Sequence, residues 1–172
     1  NSDDCSIGAG DHNEIIDSTG SSVNAGEANK FSNSNDSSIA AGEGNNILQS
    51  NRSLVGAGKG NIISGSNDSS VNAGVDNKLE TSNKSLIGVG SGNLITGSET
   101  SAIIGGDANK VDDSITSIIG GGSGNLITDS TGSSLLGGRS NIITGMESSL
   151  VGGAFNRISG DRSVLVGGSG NR

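Results

Sequence analysis

One asparagine recurs down this chain with a fixed step. From Asn13 it returns every sixteen residues at Asn29, Asn45, Asn61, Asn77, Asn93, Asn109, Asn125 and Asn141, then after fifteen at Asn156 and Asn171. Three residues before each of these stands a glycine without exception, from Gly10 to Gly168, and six before stands an aliphatic residue, from Ile7, Val23 and Ile39 to Leu150 and Leu165. Two after comes another apolar residue, Ile15, Phe31, Ile47 and onward to Ile158. Eight before comes a serine, Ser21 to Ser163, replaced in the first unit by Cys5. A chain that repeats one small unit this strictly folds by stacking it, because no unit alone can bury its apolar face.

The unit reads S-x-[IVL]-x-[AG]-G-x-x-N-x-Φ-x-x-S-x-x, with Φ apolar, and divides into two halves of eight residues. Within each half, fixed and variable positions alternate at period two, which is the signal of a strand and not of a helix. The density of Gly, Ser and Asn and the branched residues at the apolar sites disfavour helix further. Two short strands and two turns per unit predict an all-β fold, a parallel β-solenoid. Eleven coils spaced about 4.8 Å apart make a rod roughly 50 Å long. Stacking gives each column a role. Asparagines one rung apart hydrogen-bond as a ladder, and the constant glycine permits a positive φ or a close backbone approach. Serines and asparagines in the turns satisfy backbone groups locally. Cys5 reads as a serine stand-in in its column; as the single cysteine it closes no intrachain disulfide.

Composition then sets limits. Gly, Ser and Asn make up 83 of the 172 residues, Pro, Trp and Tyr are absent, and hydrophobic residues reach 30%. That excludes the packed interior of an ordinary enzyme. Charged residues are only 16% and the aliphatics keep strict register, which argues against disorder. A net charge of −8 with no two basic residues adjacent removes the footprint of a nucleic-acid or anionic-membrane binder. No apolar run approaches the roughly 18 residues needed to span a bilayer, so no direct membrane insertion is expected of these residues.

The interior of each coil is thin, offering two aliphatics and one small residue such as Ala9, Ala25, Ala41, Gly105 or Gly121. A further set of aliphatics sits at the opposite parity: Leu54, Ile62, Leu86, Leu94, Ile118, Leu126 and Ile142, together with Ile104, Leu136, Val151 and Val166. Lys30 and Lys78 occupy the place that Ile62 and Leu94 hold in neighbouring units. An exposed aliphatic stripe on a rod predicts association with copies of the same chain.

No catalytic, cofactor-binding or metal site is expected, and no cofactor. His12, the only histidine, lies in a variable turn with no nucleophile placed beside it. Asp3-Asp4 and Asp112-Asp113 do not recur with the repeat and lack the spaced oxygen pattern of a calcium loop. Gly88-Val89-Gly90-Ser91-Gly92 has the glycines of a phosphate loop without the following helix or the Gly-Lys-Ser/Thr, and reads as a turn. The ligand-binding residues stay open. The departures from the repeat that point to them are the Asp112-Asp113-Ser114-Ile115 loop, the shortened turn at Met146-Glu147, and Phe155, the one aromatic in a variable turn.

Two segments, IGGGSGNLIT at 119–128 and SLVGGAFNRISG at 149–160, resemble the S-x-V-x-G-G-x-x-N-x-A-x-G (Hep/Hag-type) repeats of YadA-like heads of trimeric autotransporter adhesins of Gram-negative bacteria. The likeness extends along essentially the whole chain. It implies one head domain over 1–172, a left-handed β-roll that associates as a homotrimer, with no stalk or membrane anchor in this stretch. It further implies a non-enzymatic adhesin at the cell surface, tethered to the outer membrane and attaching to host extracellular-matrix or cell-surface protein in virulence. The chain departs from the family in its second apolar column, mostly Ile where Ala is frequent, and in its late change of period to fifteen. Two alternatives accompany this reading. One is a structural fibre or spike shaft without a ligand of its own. The other is an ice-binding solenoid, which wants a regular outward Thr column where this chain has Ile16, Ser32, Leu48, Ser64, Glu80, Thr96, Asp112, Thr128, Thr144 and Ser159.

Overall fold

In the computed structural model, which describes residues 2–172, the chain is a parallel β-solenoid, and no helix occurs among the described residues. Each coil contributes a short strand on either side of the asparagine, such as Ser22–Val23 and Lys30–Ser32. The first kind builds a sheet of eleven strands, Ser6–Ile7 to Val164–Leu165, and the second a sheet of ten, Glu14–Ile16 to Arg157–Ile158. Every strand pairs in parallel with its equivalent one coil on, for example Ile39 with Val55 and Ile47 with Ile63. A third line of pairing, one residue wide, runs along the turn before the asparagine from Asp11 through Glu27 to Ser169.

The two apolar columns face each other between the sheets. Val23, Ile39, Val55 and their successors meet Phe31, Ile47, Ile63 and theirs in one continuous cluster, with most members fully buried. The third, small column expected in the interior is not there. Ala9 is exposed, Ala25, Ala41 and Gly121 are half-buried, and only Gly105 of those named is buried. The strand before it is two residues long and the chain bends as soon as it ends, so the in-and-out alternation stops one residue short of this position.

Polar columns hold the corners. The Asn61 side chain is fully buried; its Nδ2 donates to Oδ1 of Asn45 one coil earlier at 3.0 Å and to the carbonyl of Gly74 one coil later at 3.0 Å. Its backbone N–H also donates to Asn45 Oδ1, at 3.0 Å. The glycine column adopts φ between 89° and 119°, where a side chain is strained. A Cβ added at Gly58 would overlap the carbonyl oxygen of Gly74 and the Nδ2 of Asn61. The buried Ser53 Oγ donates to the Ser66 carbonyl at 2.9 Å. Cys5 repeats that bond, Sγ to the Ser18 carbonyl at 2.8 Å, and so fills its column as a serine would. No buried side-chain nitrogen or oxygen lacks a partner among the described residues.

A second asparagine ladder, Asn35, Asn51, Asn67 and Asn83, lines another corner with the opposite sense. The N–H of Asn51 donates to Oδ1 of Asn67 in the following coil at 2.8 Å, as that of Asn35 does to Asn51. Where the period drops to fifteen, one turn loses a residue. Ser130 Oγ and Ser133 Oγ both donate to the Gly145 carbonyl, at 2.8 and 2.9 Å, and the sheets keep their register with Leu135 opposite Leu150 and Ile143 opposite Ile158.

Candidate interaction surfaces

The outward residues of each strand alternate with the core residues, so every coil presents two lateral faces. The aliphatics expected to form one stripe divide between them. Leu54, Leu86 and Ile118, with Ile104, Leu136, Val151 and Val166, lie on the outer side of the eleven-stranded sheet or at its strand ends; Val166 reaches 73% exposure. Ile62, Leu94, Leu126 and Ile142 lie on the outer side of the ten-stranded sheet and are half-buried by their neighbours. Parity separates inside from outside and does not say which of two outsides a residue takes. The expectation of a single stripe is therefore corrected to two.

Both faces carry a period of two coils in their middle part. Leu54, Leu86 and Ile118 are separated by Ser70 and Ala102. In the same coils Ile62, Leu94 and Leu126 are separated by Lys78 and Lys110. Each of these lysines is neutralised within its own strand, Lys78 by Glu80 at 2.7 Å and Lys110 by Asp112 at 2.9 Å. The face of the ten-stranded sheet is thus ruled alternately with aliphatic rungs and internally balanced ion pairs.

Two ion pairs link the corners of neighbouring coils. Arg52 forms a two-pronged bond to Asp68 one coil on, Nε to Oδ1 at 2.6 Å and Nη2 to Oδ2 at 2.8 Å. That bond holds the Asp68 carboxyl below its ordinary 3.8 against a small opposing effect of desolvation, and the charges of Arg52 and Lys84 act in the same direction as the bond. Arg52 is correspondingly raised, first by its hydrogen bond to Asp68. Lys59, 2.7 Å from Glu43, is raised by that bond.

The residues weighed individually fall as follows. His12 is exposed in a left-handed turn beside Asp11, Nδ1 to Oδ2 3.0 Å. Asp3 and Asp4 are exposed. Asp112 is bound to Lys110, and Asp113 occupies a left-handed corner. Gly90 and Gly92 both have positive φ in a turn that leads into the strand Leu94–Thr96. In the outward column that ice recognition would need, Asp112 stands between Thr96 and Thr128. Met146 is an exposed residue of the shortened turn. Phe155 is exposed beneath the Arg139 guanidinium, whose carbon lies 5.1 Å from the ring centre. The likeness of 119–128 and 149–160 to known repeats rests on a few fixed positions per unit. No model of a known protein family matches the chain, and no curated protein matches it.

Proposed function

We propose that the chain is a non-enzymatic adhesion module exposed on the surface of a Gram-negative bacterium, assembled as a homotrimer and tethered to the outer membrane through other parts of its protein. The observation that carries this reading is the pair of outward aliphatic columns on a regularly repeating solenoid. One column set is suited to contact copies of the chain, and trimerisation repeats every remaining surface three times, which multiplies weak contacts with host matrix or cell-surface protein. The resemblance of the repeat to YadA-like heads supports the same assignment, including its left-handed coil.

Light scattering and sedimentation of the purified chain at micromolar concentration test the assembly. The expected mass is three times that of the 16.8 kDa chain. A stable monomer overturns the trimer. Binding to immobilised matrix proteins and host cells tests adhesion, and its absence from a verified trimer transfers the chain to the second reading, a spacer shaft. The bond from each asparagine N–H to the Oδ1 of the asparagine one coil earlier, which repeats along the whole column, favours that alternative.

A further inference from the structure

Four asparagines of the chain begin the tripeptide Asn-x-Ser: Asn35-Asp36-Ser37, Asn51-Arg52-Ser53, Asn67-Asp68-Ser69 and Asn83-Lys84-Ser85. They occupy one corner in four successive coils, where the chain leaves the ten-stranded sheet for the eleven-stranded one. The serine alone says little, because the buried serine column places one there in coil after coil. The asparagine is the variable member, and the same corner carries Thr19, Glu99, Ile115 and Thr131 in other coils. Asn-x-Ser is the acceptor signal for a sugar linked to the asparagine amide, read through that amide and the hydroxyl two residues on.

The fold treats the two ends of these amides differently. Oδ1 is engaged: it accepts a backbone N–H of the preceding coil, from Thr19 to Asn35 at 2.7 Å, and to Asn51, Asn67 and Asn83 at 2.8 Å each. The N–H donor fixes which end of the amide is oxygen. Nδ2 of the same four residues makes no hydrogen bond among the described residues; Asn35 is exposed, and since no buried side-chain nitrogen lacks a partner there, the other three nitrogens also reach solvent. The fold needs only the oxygen at this corner, because Asp161 takes the same place in a later coil and accepts the N–H of Met146 at 2.9 Å. The main ladder is the opposite case. Asn61 is fully buried, its Nδ2 donates to Asn45 and Gly74, and Ile62-Ile63 follows it. Asn24 and Asn72 are exposed but are followed by Ala-Gly. A free amide nitrogen and the acceptor tripeptide coincide along this one corner.

We propose that Asn35, Asn51, Asn67 and Asn83 are glycosylation sites, each carrying one hexose in N-glycosidic linkage, transferred from a nucleoside-diphosphate hexose. Nδ2 attacks C1 of the hexose; the C1–O bond to the diphosphate breaks, the nucleoside diphosphate leaves with the electron pair, and Nδ2 gives up one proton to a base of the transferase. The product keeps Oδ1 as an acceptor, so the ladder survives modification. Neighbouring acceptors lie one rung apart, about 4.8 Å, which lets single pyranose rings stack and crowds larger glycans. The serines set the order of events. Ser37, Ser53, Ser69 and Ser85 are at most 3% exposed, and Ser53 Oγ lies 3.1 Å from the Asn51 carbonyl and 2.9 Å from that of Ser66. The residue between asparagine and serine is left-handed, with φ from 51° to 55°. A folded coil therefore hides the hydroxyl that the transferase reads, and transfer precedes stacking. The sites go beyond the adhesive reading and do not rest on it.

The test is mass spectrometry of the whole chain purified from the cells that naturally make it, with peptide mapping coil by coil. The mass of one hexose less water is expected on each of the four asparagines, and none on Asn61 or Asn72. Asn51→Asp removes one hexose from the total and leaves the melting temperature of the unmodified chain unchanged, because a carboxylate oxygen accepts the Asn35 N–H as the amide oxygen does. For the order of events, unmodified chain from a host without such a transferase is given UDP-glucose and a transferase that reads Asn-x-Ser. Chain diluted from urea into the reaction gains hexose, and chain folded beforehand gains at least about ten-fold less. Absence of hexose from all four asparagines of the natural material overturns the proposal, as does hexose on asparagines outside Asn-x-Ser. A larger glycan at the same four positions overturns the single-hexose form, and equal labelling of the folded chain overturns the order. Matrix-protein and cell binding, measured on the unmodified chain, report on adhesion separately.

Discussion

The side-chain amide of Asn77 donates at 3.2 Å to the Oδ1 of Asn61, and Asn61 receives the backbone N–H of Asn77 at the same oxygen, 3.1 Å away. One residue thus ties the backbone and the side chain of its coil to the coil before. It ties the coil after as well, through the Gly90 carbonyl at 2.9 Å. Asn77→Ala leaves the buried N–H of Asn93 without its acceptor. The expected loss is at least about 2 kcal/mol, measured as a shift in the denaturation midpoint. Asn77→Asp keeps the acceptor but sets a buried carboxylate against the carbonyls of Ala73 and Gly90. Burial and those oxygens raise its folded pKa, so this variant is less stable than the alanine variant at pH 7 and recovers as pH falls.

Two glycines in adjacent corners respond in opposite ways. Gly74 has φ 115°, and a Cβ there would overlap the Gly90 carbonyl and Asn77 Nδ2. Gly44 has φ 65° with open space around it, at a corner where Ala28 and Ala108 already adopt φ 55° and 53°. Gly74→Ala is expected to cost more than about 3 kcal/mol or prevent folding, and Gly44→Ala about 1 kcal/mol or less. Thermal unfolding of the two variants side by side checks the contrast.

Much of this was legible in the sequence because stacking converts spacing into register. The steps Asn13 to Asn29 to Asn45 are the coils, and the residues six before and two after are the core. What parity could not supply was the identity of the outer face: Leu54 and Ile62 are both outward and lie on different sheets. The column at Ala9 and Ala25 was misplaced because a two-residue strand ends before alternation reaches it. The second ladder, Asn35 to Asn83, escaped notice because it spans only part of the chain before Glu99 and Ile115 replace it. Phe155 stood out only as a departure from the repeat, since its place beneath Arg139 emerges when the two coils are set beside each other.

Acid weakens one corner. Asp68 titrates below its ordinary 3.8 in the folded chain, held there by Arg52. A depressed carboxyl contributes stability above the unfolded value, and the contribution disappears as pH falls through the folded one. The stability difference between the wild-type chain and Asp68→Asn is therefore expected to be largest above the ordinary carboxylate range and to vanish as pH falls through the depressed folded value. The pair is exposed, so the difference is small and shrinks in high salt. Denaturation midpoints across pH at two ionic strengths measure it.

The alternating face of the ten-stranded sheet carries its own prediction for assembly. Leu94→Lys together with Leu126→Lys places uncompensated cations on both sides of Lys110 without touching the core. If that face joins the copies, the double variant sediments as a monomer with an unchanged far-ultraviolet spectrum. The corresponding change on the other sheet, Leu86→Lys with Ile118→Lys, then leaves the trimer intact, and the reverse outcome identifies the other face as the contact.

The two-coil alternation also bears on how such a gene can change length. Loss of 69–84 by recombination between units rejoins the main asparagine ladder and the serine ladders, yet it brings Leu54 against Leu86 and Ile62 against Leu94. Loss of 69–100 rejoins the same ladders and sets Leu54 against Ala102 and Ile62 against Lys110, so the surface pattern survives. The backbone tolerates slippage by one unit and the exterior only by two. Length variants that keep their surface are therefore expected to differ by steps of thirty-two residues, twice the repeat that builds the fold.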